Sequence, residues 1–112
     1  MSDLTVHIRG NGNATVVVVS GRVDSVTAVA LDEEFGKVAR DNKRIVLDLN
    51  DVAYLSSAGV RAILKVSQTA QRSGGGVSLV RIPTSVAQVL ENVGVTTAMR
   101  SFASVDEAVA GF

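Results

Sequence analysis

Two adjacent hydroxyl groups stand where an apolar segment of the sequence gives way to a helical pattern. They belong to Ser56 and Ser57, in the stretch YLSSAGVR of residues 54–61. Serine is among the commonest helix N-caps, in which its oxygen accepts a backbone N–H bond, and the pattern alone favours that interpretation. A serine hydroxyl is also a phosphate acceptor, and a phosphate carries a charge near −2 that suits the positive end of a helix dipole. The domain would tolerate that charge, whereas a protein packed against the same surface would not.

The other polar residues of the sequence do not form the set of nucleophile, base and orienting group that an active site requires. The chain has no cysteine, which excludes a thiolate metal site and a cysteine nucleophile. Its one histidine, His7, falls on the polar side of an alternating strand, and Asp48, near the end of a strand, is explained by bonds to backbone groups. The glycines at 74–76 lack the Lys-Ser/Thr of a phosphate-binding loop. The sequence therefore predicts no catalytic residue, no metal site and no cofactor.

Length and composition limit the remaining possibilities. The chain has 112 residues, 46% of them hydrophobic, with 11 basic and 11 acidic side chains and no net charge. We therefore expect one domain over residues 1–112, and no direct contact with nucleic acid, which would require an excess of basic residues. Apolar runs reach four residues, as in Val16–Val19, against about 20 for a membrane span. The N-terminus also lacks the apolar core of a signal peptide, so these features predict a cytoplasmic protein without membrane insertion.

The first part of the chain has the pattern of a β-hairpin. Leu4, Val6 and Ile8 alternate with polar residues, which predicts a strand with one apolar face. The Asn-Gly pair at 11–12 is a strong turn signal. The apolar run that follows predicts a central second strand, antiparallel to the first.

Apolar residues recur at spacings of three and four in three later segments, which predicts helices. The first helix follows Asp24 and Ser25, either of which could cap it. The second follows Ser57, and the third opens near Ser85, which has capping-box spacing to Gln88. The predicted inward-facing positions are Ala28, Leu31, Phe35 and Val38; Val60, Ile63, Leu64, Ser67 and Ala70; and Val86, Val89, Leu90 and Val93.

Strand patterns alternate with these helices, and a short terminal helix opens at Ser104. The order predicts an α/β fold: a single domain with a mixed sheet of four to five strands, about four helices, and the first strand antiparallel at the edge. Carboxyl ends of parallel strands meet at one edge of a sheet. We expect loops at residues 21–25 and 50–57, so Asp24 and Ser57 are predicted at the same edge.

Several short motifs, in order and at matching spacing, resemble one family along nearly the whole chain. Residues 45–50 (IVLDLN) and 52–60 (VAYLSSAGV) are similar to the family's strand-to-helix junction. The sequence GRVD at 21–24 is similar to the family's motif after its second strand, and 74–76 and 90–95 to a later turn and helix end. Each motif is weak alone, but together they are specific. On these residues the chain resembles a STAS domain of the bacterial anti-sigma factor antagonist type.

The resemblance implies a phosphorylation site at Ser57, with Asp24 as the family aspartate beside it. The chain departs from the sporulation-type pattern D-S-S-G at two positions, because Ser56 replaces the aspartate and Ala58 replaces the second serine. Ser56 cannot supply the charge that would orient the target hydroxyl or bind the metal of a kinase's nucleotide. Asp24 then remains as the candidate carboxylate. The expected surface around the phosphorylation site comprises Asp24, Ser25, Ser56, Ala58, Gly59 and Arg61.

The resemblance further implies a partner-switching regulator that catalyses nothing itself. Unphosphorylated, it would bind an anti-sigma factor that is also a serine kinase, and so free a sigma factor for transcription. Phosphorylation of Ser57 would break that complex, and a phosphatase would reset it. Two alternatives stay open: a soluble STAS subunit of a transport assembly, and a sensor of a small ligand or nucleotide bound between Asp24 and Ser57. In these alternatives Ser57 is only a helix cap.

Overall fold

The computed structural model describes residues 4–95 and 99–112, and five strands and four helices lie wholly within these ranges. In chain order they are β1 (Leu4–Asn11), β2 (Ala14–Val23), α1 (Thr27–Asp41), β3 (Arg44–Leu55), α2 (Ser57–Arg72), β4 (Gly76–Val80), α3 (Thr84–Asn92), β5 (Arg100–Phe102) and α4 (Val105–Ala110). The predicted α/β class is confirmed.

The strands form one mixed sheet in the same order as they occur in the chain, β1-β2-β3-β4-β5. β1 pairs antiparallel with β2 through a turn at Gly12, whose φ of 60° is a left-handed conformation that glycine adopts without strain. The other three pairs of strands are parallel. The predicted hairpin and antiparallel edge strand are therefore confirmed.

The two faces of the sheet are covered by different helices. On one face Phe35 of α1, Ile63 of α2 and residues of α3 share a large core with Val17. On the other face α4 packs over a smaller core, because neighbouring residues of a strand point to opposite sides. That smaller core contains Ala14, Val16, Val46, Val80 and Ala108. The predicted inward stripe of α1 is confirmed, since Ala28, Leu31, Phe35 and Val38 are all buried.

The prediction of loops over 21–25 and 50–57 is wrong in extent. β2 continues through Val23 and β3 through Leu55, because the two segments pair with each other in parallel. Two register shifts in this pairing each leave one extra residue on β3. Such bulges let a strand accommodate polar, turn-like residues such as the Asn-Asp pair at 50–51 while the pairing continues beyond them.

The predicted capping box of α3 is also wrong. α3 begins at Thr84 with Pro83 in the N-cap position, and no side chain caps it. The fixed φ of proline suits a helix start, so the helix begins before Ser85, which then lies inside the first turn. α4 begins as predicted, with the Ser104 hydroxyl accepting the backbone N–H of Glu107 at 3.2 Å.

The longest helix in the described ranges, α2, has 16 residues. None of the helices within residues 4–95 and 99–112 is both long enough and apolar enough to cross a membrane.

Candidate functional site

The ends of β2 and β3 bring the two principal site residues to one edge of the sheet. Val23 and Leu55, the last residues of these strands, are paired, and the backbone N–H of Ser56 donates to the carbonyl oxygen of Val23 at 2.8 Å. Asp24 directly follows Val23, and Ser57 directly follows Ser56. The two residues therefore lie at the same edge, as the sequence predicts.

The two adjacent serines have different environments. Ser56 is the N-cap of α2, and its Oγ accepts the backbone N–H of Gly59 at 3.3 Å. Ser57 is the first residue of the helix, is exposed, and its hydroxyl has no hydrogen-bond partner among residues 4–95 and 99–112. The capping interpretation therefore holds for Ser56 and is wrong for Ser57. The reason is geometric, because the residue before the first helical one has the oxygen that reaches the free N–H groups.

The prediction that Gly59 belongs to the exposed surface around the phosphorylation site is wrong, because Gly59 is buried where the start of α2 approaches the core closely. A Cβ atom added at this position would lie 2.6 Å from Leu55 Cδ1 and 2.6 Å from Val23 Cγ1. Ala58, next to it, is half-buried against the same core. The small residues of the junction therefore seat the first turn of α2 directly on the ends of β2 and β3, while Ser57 stays exposed.

Asp24 forms a hydrogen-bonded polar turn at the start of α1. Its Oδ1 accepts the backbone N–H groups of Val26 and Thr27, each at 2.9 Å, and lies 3.1 Å from the Thr27 hydroxyl. The bond from the Thr27 N–H is the main cause that lowers the pKa of the Asp24 carboxyl below its ordinary value, because donors stabilise the charged form. Neither predicted cap of α1 occupies the N-cap position, which is Val26 and has no side-chain cap bond; Asp24 instead binds the turn that leads into the helix, and Ser25 is exposed.

A cleft of about 440 Å³ lies between α1 and α2, and Ala58, the residue after Ser57, is part of its lining. It is lined by Ser25, Ala28, Val29, Asp32, Ala58, Arg61, Ala62 and Lys65. Across it, Lys65 Nζ pairs with Asp32 Oδ2 at 3.2 Å. Arg61 is exposed and forms no hydrogen bond or ion pair within the part of the chain that the structure describes. Three predicted surface residues, Ser25, Ala58 and Arg61, thus line one cleft.

Two exposed valines near the start of α1 add apolar area to this surface. Val26 is 77% exposed, and Val29, which lines the cleft, is 62% exposed. In the sequence, the exposure of these two valines is indicated by their positions outside the buried stripe of α1. Sequence reasoning misses them because single exposed apolar residues are common on protein surfaces.

A second polar cluster, centred on Asp48, lies on the face of the sheet that carries α4. Asp48 is buried and its Oδ1 accepts the backbone N–H of Asn50 at 3.1 Å, as its predicted role requires. Its carboxylate also accepts two bonds from the Arg81 guanidinium, at 3.2 and 3.0 Å, and this pairing raises the pKa of Arg81 above its ordinary value. Arg81 has a φ of 53°, a left-handed conformation that residues other than glycine rarely adopt. The sequence carries no signal for that conformation.

The edge that contains Ser57 has the chemistry of a binding surface with exposed hydroxyl groups, those of Ser57 and Ser25. Arg22, the nearest cation before Asp24 in the chain, lies over the Tyr54 ring at 4.7 Å. No group of three or more histidine, aspartate or glutamate side chains in the described ranges is placed to hold a metal ion. In the described part of the chain neither of these hydroxyls has a hydrogen-bond partner, and of the two only Ser57 is the first residue of a helix.

Comparisons with known proteins agree with this fold. A family model for the STAS domain matches residues 5–108. Over 111 residues the chain is 27% identical to the anti-sigma-F factor antagonist RsfB of Mycobacterium tuberculosis, covering 96% of this chain and 88% of that one. Over 92 residues it is 22% identical to the anti-sigma-B factor antagonist of Bacillus subtilis, covering 82% and 84%. A solved anti-sigma factor antagonist from Mycobacterium paratuberculosis aligns with a TM-score of 0.88 at 25% identity, covering 96% of this chain and 92% of that one.

Proposed function

The chain belongs to the STAS domain family, and we propose that it is an anti-sigma factor antagonist that is switched by phosphorylation of Ser57. Residues 1–112 act as one domain in the cytoplasm. Unmodified, the domain binds an anti-sigma factor that is also a serine kinase, and this binding frees a sigma factor for transcription. The observation that supports the switch most directly is the exposed, unbonded hydroxyl of Ser57 at the first residue of α2.

The domain is the substrate of the phosphoryl transfer and does not catalyse it. The kinase transfers the γ-phosphoryl group of ATP: the bond from Ser57 Oγ to phosphorus forms, the bond to ADP breaks, and the hydroxyl proton passes to a base of the kinase. Asp24 contributes a fixed carboxylate nearby, since its Oδ1 is held by Val26 and Thr27. Its Oδ2 is then free to orient the hydroxyl or the kinase's metal ion.

The phosphate breaks the complex because it adds charge to the surface that the partner covers. That surface includes the exposed Val26 and Val29 and the Ser57 hydroxyl. A charge near −2 must be desolvated when an apolar partner surface packs on it, whereas in the free domain it remains in water at a helix N-terminus. A phosphatase then hydrolyses the Oγ–P bond with water, releases inorganic phosphate and restores the binding state.

The test is phosphorylation of the purified domain by its cognate kinase and ATP, with the site mapped by mass spectrometry. We expect one phosphate, on Ser57, and none in Ser57→Ala. Ser56→Ala is the matched control: it removes the cap and leaves the acceptor, so it should still be phosphorylated. Phosphate on Ser56, or on Ser57→Ala, would contradict the proposal.

Co-purification from the native host separates this function from the two alternatives. Recovery of a kinase-type anti-sigma factor supports partner switching, and recovery of a transporter favours a role as a transport subunit. A bound small molecule or nucleotide favours a sensor. A neighbouring gene for a histidine-kinase-like ATPase would also support partner switching.

A further inference from the structure

Arg61 stands one helical turn beyond Ser57 on α2, at the i+4 position. Side chains four residues apart on a helix are neighbours, with Cβ atoms about 5–6 Å apart. Both residues are exposed. A group attached to the Ser57 oxygen therefore lies within reach of the Arg61 guanidinium without any movement of the backbone.

The other cations near Ser57 are already engaged. Lys65 pairs with Asp32 across the cleft at 3.2 Å, and Arg22 lies over the Tyr54 ring at 4.7 Å. Arg61 has no ion pair or hydrogen bond within residues 4–95 and 99–112. It is thus the nearby cation that can change partner without breaking an existing contact.

We propose that Arg61 changes partner with the phosphorylation state of Ser57, so that it faces the anti-sigma factor in the unmodified domain and binds the phosphate in the modified one. This inference rests on the function proposed above and adds a residue that acts on both sides of the switch. The phosphate on Ser57 would lie four residues N-terminal to Arg61. This order is favourable, because an acidic group four residues N-terminal to a basic one stabilises a helix more than the reverse order. The guanidinium also matches phosphate geometry with two parallel N–H donors.

The consequence is a reversal of charge along the cleft. Its charged lining residues, Asp32, Arg61 and Lys65, together carry one net positive charge. A partner segment with acidic side chains fits that cleft in the unmodified state. The phosphate adds a charge near −2 and draws Arg61 to itself, which removes the attraction to the acidic segment as well as adding repulsion.

The decisive measurement uses a domain with phosphoserine installed at position 57 during translation, so that no kinase is needed. Titration by ³¹P NMR gives the second pKa of the phosphate, ordinarily about 6. We expect Arg61→Gln to raise it by about half a unit, because Arg61 favours the dianion. Asp24, Asp32 and Lys65 also face this region, and they are the same in all variants. Arg61→Lys should lie between the two.

The matched control is Arg72→Gln, which removes the same charge from the last turn of α2. It lies about 22 Å along the helix from Ser57 and should leave the phosphate pKa unchanged. Equal pKa values for the parent domain, Arg61→Gln and Arg72→Gln would overturn the phosphate contact.

Binding of the unmodified variants to the anti-sigma factor tests the other half of the proposal. Arg61→Gln should weaken binding about two- to fivefold, as expected for an exposed charge contact, and Arg72→Gln should not. No loss with Arg61→Gln would overturn the contact with the partner. If the kinase modifies a residue other than Ser57, the proposed function fails while the ³¹P result for the Arg61 contact still stands, so the two failures are distinguishable.

Discussion

The two helices that begin at the same sheet edge have different polar groups at their starts. At the start of α1 the Asp24 carboxylate accepts two backbone N–H bonds, so a negative charge is present permanently. At the start of α2 the neutral Ser56 hydroxyl makes the cap, and Ser57 is left exposed and unbonded in the part of the chain that the structure describes. One helix start has a fixed negative charge, and the other has an exposed hydroxyl to which, on the function proposed above, a charge is added and from which it is removed.

On the function proposed above, stability and regulation are assigned to two adjacent serines, Ser56 and Ser57. A single serine that both capped α2 and accepted phosphate would lose its cap bond when modified. With Ser56 as the cap, modification of Ser57 leaves the bond to Gly59 intact. Phosphorylation can therefore alter the surface without altering the fold.

The largest expected effect comes from placing a permanent charge at α2. Ser57→Glu should weaken binding to the anti-sigma factor at least about 100-fold, because the added charge must be desolvated against the partner and draws Arg61 away from it. Ser57→Gln, which has the same size without the charge, is the matched control and should bind more tightly than Ser57→Glu. Calorimetric titration gives the affinities, and thermal melts should show all variants folded. Equal affinity for serine, alanine and glutamate at this position would remove Ser57 from the interface.

The next effect concerns how closely α2 and α1 pack on their surroundings. α2 rests directly on the core at Gly59, so Gly59→Ala should lower the free energy of unfolding by about 1–3 kcal/mol through overpacking against Leu55 and Val23. Gly36→Ala in α1 is the control, since nothing lies within 4 Å of an added Cβ there. That variant should gain about 0.5–1 kcal/mol from helix propensity. Equal denaturant midpoints for the two variants would contradict the close approach at Gly59.

The adjacent serines should differ in their contributions to stability. Ser56→Ala should cost about 0.5–2 kcal/mol, because it removes an N-cap bond. Ser57→Ala should stay within about 0.5 kcal/mol of the parent, as for an exposed residue without partners. Chemical denaturation of both variants measures the difference. A larger loss for Ser57→Ala would reverse the assignment of the cap.

The smallest effect is the pH dependence of the stability that the Asp24 carboxylate contributes at the start of α1. The pKa of Asp24 is lowered in the folded state, so its stabilising contribution is fully present above the unfolded pKa. That contribution disappears as the pH falls through the lower folded pKa. The difference in stability between the parent and Asp24→Asn should therefore be constant near neutral pH and shrink below about pH 4. A difference that grows on acidification would contradict the bonds at Asp24.

Local patterns predict the elements of this fold better than the contacts between them. The hairpin at 11–12 and the buried stripe of α1 follow from short-range rules and are confirmed. The extension of β2 and β3 is missed, because the turn-like residues at 50–51 are held in a strand by pairing with a distant segment. The conformation of Arg81 is missed for a similar reason, since its carboxylate partner Asp48 is 33 residues away.

In the candidate site, too, some features follow from local patterns of the sequence and others do not. The motif places Ser57 and Asp24 at one edge, and their backbone placement agrees with that prediction. Which of the two serines caps α2 depends on where the helix begins to within one residue, and helix boundaries are not fixed that closely by sequence. The free state of Arg61 depends on the pairing of Lys65 with Asp32 between helices, which no local pattern contains.

The agreement between sheet order and chain order has a consequence for synthesis on the ribosome. Each new strand pairs with the strand made just before it, so no edge has to wait for a segment that is synthesised much later. The hairpin of β1 and β2 can form first, and each later strand can add to the growing edge as it emerges. Domains generally fold as units during synthesis, so this order limits how long an unpaired strand edge is exposed before the remaining elements emerge and complete both cores.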